Sequence, residues 1–529
     1  MSVRRVLARN TAFNAAGRLW EAASTLVLTR YILDRVAAEG YGLWGLVAVF
    51  TGYVALLDVG LGSAYVKYIA EHAARDERDA LSSVVSTGFF FYLLLGALLV
   101  AIGWPCMDLV VQAFQAFGVL NEGNVAQARF LFRGALVLFA TTNVMGAFTS
   151  VLTGLQRMGL TNLMSFVASL VKIAATVLFL EKGFGLPGLL YANALAFAVF
   201  ALGCTVLAFR LVPALRLSLG RVRRNTFGKL FGFGWRAQVA RLANLVMFET
   251  DMVVAGAISG QLGLAGLYKL GVDLANKMRQ VPVLLVSAIV PAASDLDARE
   301  EHARLADLYV RSTKYVACVA VPLVLFTVGS ADLLIRTWLG PGHQVSAWVL
   351  RIIAFGYIAN IMPGAGVSVV LGKGRADLQM KAGVIATVAN IVLTVALALT
   401  VGFWGIPVAT AISMFISWTW FARALAPVIG VSPGRMLRAA MVWPAAAALP
   451  GFVCCVVLDW STREAAALEG FAPSAGVLVA ATAVYGVLFL SLIRIAPFLD
   501  AFDAAFLGET LGLARVPLVR RWLRGACRV

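Results

Sequence analysis

Apolar residues run through this chain in long continuous stretches, and the polar residues gather in short breaks between them. A helix needs roughly 20 mostly apolar residues to cross a bilayer. Such stretches fall at about 10–33, 42–71, 80–104, 128–154, 160–181, 187–211, 229–258, 262–293, 308–329, 346–371, 378–400, 404–428, 437–459 and 474–496. They are continuous rather than alternating, which excludes a β-barrel. The pattern predicts an all-α integral membrane protein of about fourteen helices, the longer ones tilted or projecting into water.

The pattern is also duplicated. NVMGAFTSVLTGLQRMGLTNLMSFVASLVKI from Asn143 is matched, with one insertion, by NIMPGAGVSVVLGKGRADLQMKAGVIATVANI from Asn360, pairing Gly154 with Gly372 and Arg157 with Arg375. GFGLPG from Gly183 parallels GFWGIP from Gly402, and AEGYGLWGL around Tyr41 parallels LAGLYKLGV around Tyr268. The charged EHAARDERDALSS after the second span parallels DLDAREEHARLAD after the eighth. Six helices per repeat is an even number, so both halves keep one orientation, related by an axis along the membrane normal. Carriers that rock two bundles about a shared cavity are built this way.

The expected organisation is an N-terminal six-helix bundle at 1–211, a basic cytoplasmic linker at 212–228 acting as hinge, and a C-terminal six-helix bundle at 229–428. Two extra spans at 429–499 and a basic tail at 500–529 follow. In the tail, Leu507, Leu511, Val516, Leu518 and Leu523 mix with Arg515, Arg520, Arg521, Arg524 and Arg528. That mixture suits an amphipathic helix lying on the anionic cytoplasmic leaflet.

Composition agrees with the pattern. Of 529 residues, 61% are hydrophobic and 13% charged, too few charges to cover a soluble domain of this size. The net charge of +17 would raise nucleic-acid binding in a soluble protein. No such motif is present, no nucleic-acid partner is expected, and Lys and Arg collect in cytoplasmic loops for topological reasons. Arg4, Arg5 and Arg9 precede the first span, and Arg216, Arg221, Arg223 and Arg224 follow the sixth. Lys373 and Arg375 follow the tenth, Arg435 and Arg438 the twelfth, while ISGQLGLAG between the seventh and eighth has no basic residue. Both termini are therefore expected in the cytoplasm, and the N-terminus is too polar for a cleaved signal peptide. The cysteines and the scattered histidines show no metal-ligand spacing and no disulfide framework.

No catalytic constellation is visible; the informative residues are charges inside spans. An ionisable group at the bilayer centre costs about 2.5–3.5 kcal/mol on insertion scales, so it faces the bundle interior or water. In span one, Asn10, Asn14, Arg18, Glu21 and Thr25 share one helical face, which reads as cavity lining. The bland alternative is an Arg18–Glu21 pair that neutralises itself. In span seven Gln238, Arg241 and Glu249 share a face, with Arg236 nearer the cytoplasm; span eight carries Lys269, Asp273 and Lys277 at four-residue steps, with Arg279 beside them; span five has Lys172 near mid-depth. Arg133, Lys67 and Arg351 are set aside as side chains that snorkel to an interface.

The cations Arg18, Lys172, Arg241, Lys269 and Lys277 outnumber the acids Glu21, Glu249 and Asp273. If they converge they make a positive cavity for an anionic cargo such as a diphosphate headgroup, with Arg as a planar fork and Lys as a mobile point charge. The acids would balance charge or carry a coupling proton or sodium ion, no other cofactor being expected. Asn10, Asn14 and Gln238 would line the cavity.

The N-x3-N pattern from Asn10, YGLW at Tyr41, LLDVGLGSAYVKYIAE, GLQR at Gly154 and the stretch from Asp251 to Tyr268 together resemble the polysaccharide transporter family. That family includes O-antigen and exopolysaccharide flippases and belongs to the multidrug/oligosaccharidyl-lipid/polysaccharide exporter superfamily; the resemblance covers roughly 8–430. It implies two six-helix bundles in a V, as in multidrug and toxin extrusion proteins, with two added C-terminal helices. It implies alternating access in a bacterial inner membrane and an undecaprenyl-diphosphate-linked oligosaccharide moved from the cytoplasmic to the periplasmic leaflet. Arg18, Lys172, Arg241 and Lys269 would meet the diphosphate-sugar, and membrane lipids and a glycan polymerase or export complex would be partners. A multidrug or toxin exporter would favour an acidic, aromatic pocket, against the basic excess here. A membrane glycan polymerase would need a sizeable external loop carrying catalytic acids, whereas the longest external gap, about 104–128, has only Asp108 and Glu122 as acids.

Overall fold

The protein, here a computed structural model, is described over residues 3–55, 61–228, 230–231, 250–286, 289–462, 470–496, 498, 500 and 502–503. Those residues form helices and no strand. Among them 9 stretches are long and apolar enough to cross a membrane. In Met158–Glu181 and Gly185–Leu211 only 22% of the most apolar window is buried within the protein. Apolar surface of that extent, turned outward, is stable only against hydrocarbon, and closed helices are the form that leaves no backbone group unpaired there. The chain is a multi-pass membrane protein.

Two compact units divide the chain, Met1–Gly266 and Leu267–Val529. The first contains α1 (Val3–Val54), α2 (Leu61–Ala74), α3 (Arg78–Ala116), α4 (Glu122–Gly154), α5 (Met158–Glu181), α6 (Gly185–Leu211) and α7 (Thr250–Ser259). The start of α8 (Leu262–Val283) also belongs to it. The first two predicted spans meet in α1, which bends where Ala37 leaves helical geometry at φ 56°. Positive φ at a residue with a Cβ marks an imposed bend. Span seven lies largely outside the described residues.

The second unit continues with α9 (Ile289–Ala298), α10 (His302–Gly329), α11 (Ala331–Leu339), α12 (Gln344–Ile361), α13 (Gly364–Gly372), α14 (Ala376–Val401) and α15 (Gly405–Ile429). After them come α16 (Pro433–Ala440), α17 (Val442–Ser461) and α18 (Phe471–Ile495). The tenth predicted span is two helices, α12 and α13, separated at Met362 and Pro363.

The duplication read in the sequence recurs in the backbone. After α2 the chain turns at Asp76 and after α9 at Glu300, with φ of 54° and 57°. In each turn the next amide returns to a carbonyl five residues back: Glu77 to His72 at 2.9 Å, Glu301 to Leu296 at 3.0 Å. The turns after α4 and α13 match in the same way. Arg157 donates its amide to the Leu152 carbonyl and Arg375 to that of Val370. Gln156 (φ 56°) and Gly374 (φ 72°) take the left-handed position.

The basic segment 212–228 is docked on α3 through side-chain hydroxyls. Ser82 donates to the Ala214 carbonyl (3.4 Å) and accepts the Arg216 amide (3.3 Å). Ser86 donates to the Arg216 carbonyl (3.1 Å) and accepts the Ser218 amide (3.3 Å). Ser83 donates to the Arg221 carbonyl and Thr87 accepts the Arg223 amide, while Arg221 pairs with Asp79 at 2.7 Å. Buried backbone groups need partners, and here a helix face supplies them to an extended segment.

In the second unit α17 is fastened by charge. Arg351 on α12 pairs with Asp332 at 2.9 Å and with Asp459 of α17 at 2.5 Å. The other oxygen of Asp459 accepts the Leu333 amide at 2.7 Å, at the start of α11. Arg351 is 13% exposed. It does not snorkel, as its sequence position suggested; two buried carboxylates hold it inside. Arg133 likewise does not stand alone but pairs with Asp108 at 3.1 Å.

Beyond α18 a second clamp forms. Arg311 on α10 reaches Asp307, Asp500 and Asp503, and Lys314 pairs with Asp503. The Tyr315 hydroxyl donates to Asp503 at 2.6 Å, and the Asp503 amide donates to Asp500 at 2.8 Å. Burial pushes the Asp500 carboxyl up, but the hydrogen bonding with Asp503 and the Arg311 guanidinium outweigh it and hold the group below its ordinary value. The tail expected as an amphipathic helix lies, past Asp503, outside the described residues.

Candidate functional site

A cavity of about 1060 Å³ opens within the first unit between α1, α5 and α6. Its polar wall follows from helical periodicity. Asn162, Ser165, Ser169, Lys172 and Thr176 recur at three- and four-residue steps on α5, and Glu21, Ser24 and Thr25 do so on α1. In helices otherwise apolar, these stripes turn inward because lipid cannot solvate them. Asn193 on α6 completes the polar part, and Trp20, Tyr41, Trp44, Phe166, Phe197 and Phe200 add aromatic surface.

Local bonds hold this wall. The Trp20 indole donates to the Ser169 hydroxyl and its ring lies 4.8 Å from that of Phe166, joining α1 to α5. Thr25 and Ser24 donate to the Glu21 carbonyl at 2.6 and 3.1 Å, and Asn193 donates to the Leu189 carbonyl at 2.7 Å. A hydroxyl that donates to its own helix keeps acceptor lone pairs free. Past the cavity, Tyr31 and Arg35 both donate to Glu181 at the end of α5, and the guanidinium lies 3.5 Å from the Tyr31 ring centroid. These contacts fix the spacing of the two walls.

Two of the sequence-predicted site residues, Glu21 and Lys172, come together here: both line the cavity, and the Glu21 carboxylate acts electrostatically on the Lys172 ammonium. Among the described residues the cavity thus holds one cation and one acid. The side chains of Asn10, Asn14 and Arg18 lie outside the described residues, as do Gln238, Arg241 and Glu249.

Lys269, Asp273 and Lys277 stand on the part of α8 that belongs to the second unit. Lys269 and Asp273 form an ion pair at 3.2 Å, as their four-residue spacing allows. Further along α8, Asn276 accepts the Tyr357 hydroxyl at 2.6 Å, and Arg279 donates to Asn360 at 2.8 Å. Asn360 opens the second copy of the repeated segment. Sequence reading missed the α5 stripe apart from Lys172, although its spacing was visible; it also missed the aromatic lining, because aromatic residues in an apolar helix carry no directional signal.

A cavity of this kind can bind a polyhydroxylated group. Serine, threonine and asparagine offer donors and acceptors, aromatic rings offer flat apolar faces, and Lys172 offers charge to an anionic part.

Comparison with known proteins gives family and fold. Residues 7–297 match the family model described as polysaccharide biosynthesis protein. A candidate O-antigen transporter of Shigella flexneri is 21% identical over 378 residues, covering 70% of this chain and 86% of that protein. The teichuronic acid biosynthesis protein TuaB of Bacillus subtilis (strain 168) is 30% identical over 151 residues, covering 28% of this chain and 30% of that protein. Among solved structures, the lipid II flippase MurJ in an inward closed conformation has a TM-score of 0.65 at 15% identity, covering 91% of this chain and 98% of that one. An inward-facing multidrug resistance MATE family transporter has a TM-score of 0.61 at 16% identity, covering 79% and 96%. At such identities these likenesses establish the fold.

Proposed function

The chain belongs to the polysaccharide biosynthesis protein family, and we propose that it is a flippase moving an undecaprenyl-diphosphate-linked oligosaccharide from the cytoplasmic to the periplasmic leaflet of a bacterial inner membrane. The observation that carries this reading is a hydroxyl-, amide- and ring-lined cavity holding Lys172, enclosed by helices whose outer faces are apolar. A glycan needs such a lining to leave water, whereas its prenyl chain needs none and stays in lipid.

In this reading Arg18, Lys172, Arg241, Lys269 and Lys277 serve the diphosphate, by charge and by the fork geometry of arginine. Glu21, Glu249 and Asp273 balance those charges and are the candidates for coupling to a proton or sodium ion. The duplicated halves support alternating access, in which two similar bundles exchange openings. The basic loops support a cytoplasmic position for both termini, and in this reading the exported glycan passes to a polymerase or export complex outside.

The test is to deplete the protein in a strain that depends on it and follow lipid-linked glycan on each face of the inner membrane with a lectin. Glycan should build up on the cytoplasmic face and vanish from the periplasmic one. Normal arrival at the periplasmic face, or a drug-resistance phenotype with no glycan phenotype, overturns the proposal.

A further inference from the structure

The first unit has a second concavity, of about 820 Å³, on the side formed by α3, α4 and α6. Its trough is apolar, with Val137, Leu138 and Met145 on α4 and Leu190, Ala194 and Leu202 on α6. Its rim carries Trp104, Arg129 and Arg133. Trp104 is 26 residues beyond Arg78, the first residue of α3, roughly 39 Å along a helix. That distance carries it to the opposite membrane interface, the level at which tryptophan and arginine meet lipid headgroups. With the N-terminus cytoplasmic, this is the outer leaflet.

The rim is unbalanced. One carboxylate, Asp108, serves two guanidinium groups, at 2.6 Å from Arg129 and 3.1 Å from Arg133. Arg129 meets Asp108 through its Nε, whereas Arg133 uses a terminal nitrogen and its buried Nε has no hydrogen-bond partner. Arg133 also lies 5.2 Å from the Trp104 ring centroid, which fixes its plane. The rim therefore keeps one net positive charge and spare N–H donors above an apolar slot. One monoanionic phosphodiester matches that charge and those donors, and its acyl chain matches the slot; a diphosphate carries more negative charge than this rim balances. We propose that the groove binds one anionic phospholipid of the outer leaflet, its phosphate on Arg129 and Arg133 and one acyl chain along α4 and α6. Phe197 on α6 lines both this groove and the Lys172 cavity, so an acyl chain in the slot bears on a wall of the glycan site.

Native mass spectrometry of the full-length protein, released from nanodiscs of equimolar phosphatidylglycerol and phosphatidylcholine, tests this. One phosphatidylglycerol should be retained per chain in preference to phosphatidylcholine, and retention should fall at least tenfold in R129Q/R133Q. Val137→Trp, which fills the slot and leaves the rim intact, should lower retention to the same degree; it keeps the test decisive if the double variant does not fold. Equal retention of both lipids by the wild type, or undiminished phosphatidylglycerol in Val137→Trp, overturns the proposal. Displacement of phosphatidylglycerol by added prenyl-diphosphate glycan does so too, by giving the groove to the cargo. None of these outcomes depends on whether the protein moves glycan.

Discussion

Gly154 and Gly372 occupy equivalent close contacts in the two copies of the repeat. A Cβ on Gly154 would lie 2.7 Å from a side-chain carbon of Ile69 on α2, and one on Gly372 would lie 2.7 Å from the Cβ of Ala293 on α9. Each closes the helix before the left-handed turn at Gln156 or Gly374. The glycine thus serves by its missing side chain, since the residue two positions on takes the unusual backbone angle.

Gly154→Val and Gly372→Val should each destabilise the protein by about 1–3 kcal/mol, the usual cost of forcing atoms into a packed contact. Thermal unfolding in detergent would measure both. Matching losses would confirm that the copies share one packing solution; a neutral outcome at either glycine would refute it for that half.

Lys172→Ala should lower glycan export at least tenfold with protein abundance unchanged, because it removes the one cation among the cavity's described residues and the charge facing Glu21. Glu21→Gln in the same background should restore part of the export if the acid only balances charge. If it carries the coupling ion, the double variant should stay inactive. Pulse-labelled appearance of periplasmic glycan separates these results.

Arg351→Met should destabilise the second unit by about 3–5 kcal/mol, because it removes the guanidinium that the buried carboxylates of Asp332 and Asp459 share. The replacement keeps an unbranched apolar stem, so the loss reads chiefly the missing guanidinium. Denaturant unfolding of the purified protein gives the number; a change under 1 kcal/mol would show the cluster to be dispensable.

The clamp beyond α18 should respond to acid. Asp500 is held below its ordinary 3.8. A carboxyl depressed in the folded state stabilises docking in full above its unfolded pKa, and the contribution is lost as pH falls through the lower, folded value. The wild type should resist pepsin at Phe502 at pH 5 and become cleavable only as pH drops below 3.8. Asp500→Asn, which cannot carry the charge, should already be cut at pH 5. Identical profiles for the two proteins would show that Asp500 does not hold the segment.

Much of this was legible in the chain because it was local or repeated. The Lys269–Asp273 pair follows from a four-residue step, and the matching turns at Asp76 and Glu300 lie inside segments whose likeness was plain. The cationic Lys172 stood out because charge is costly in an apolar helix. Arg351 was misjudged for the opposite reason. Its partners are distant in sequence, Asp332 on a helix before it and Asp459 on one well after it, and only packing brings them to the same guanidinium. The groove on α4 and α6 was hidden likewise, since an apolar residue facing a slot and one facing open lipid look alike in sequence.

The docked stretch 214–218 behaves in effect as a strand whose neighbour is a helix. Alternate positions, Ala214, Arg216 and Ser218, meet successive hydroxyls of α3, as alternate residues meet a facing strand. Adding one residue there would accordingly not slacken a tether; it would slip the frame, presenting each serine with the wrong backbone group. Two inserted residues should be borne far better than one.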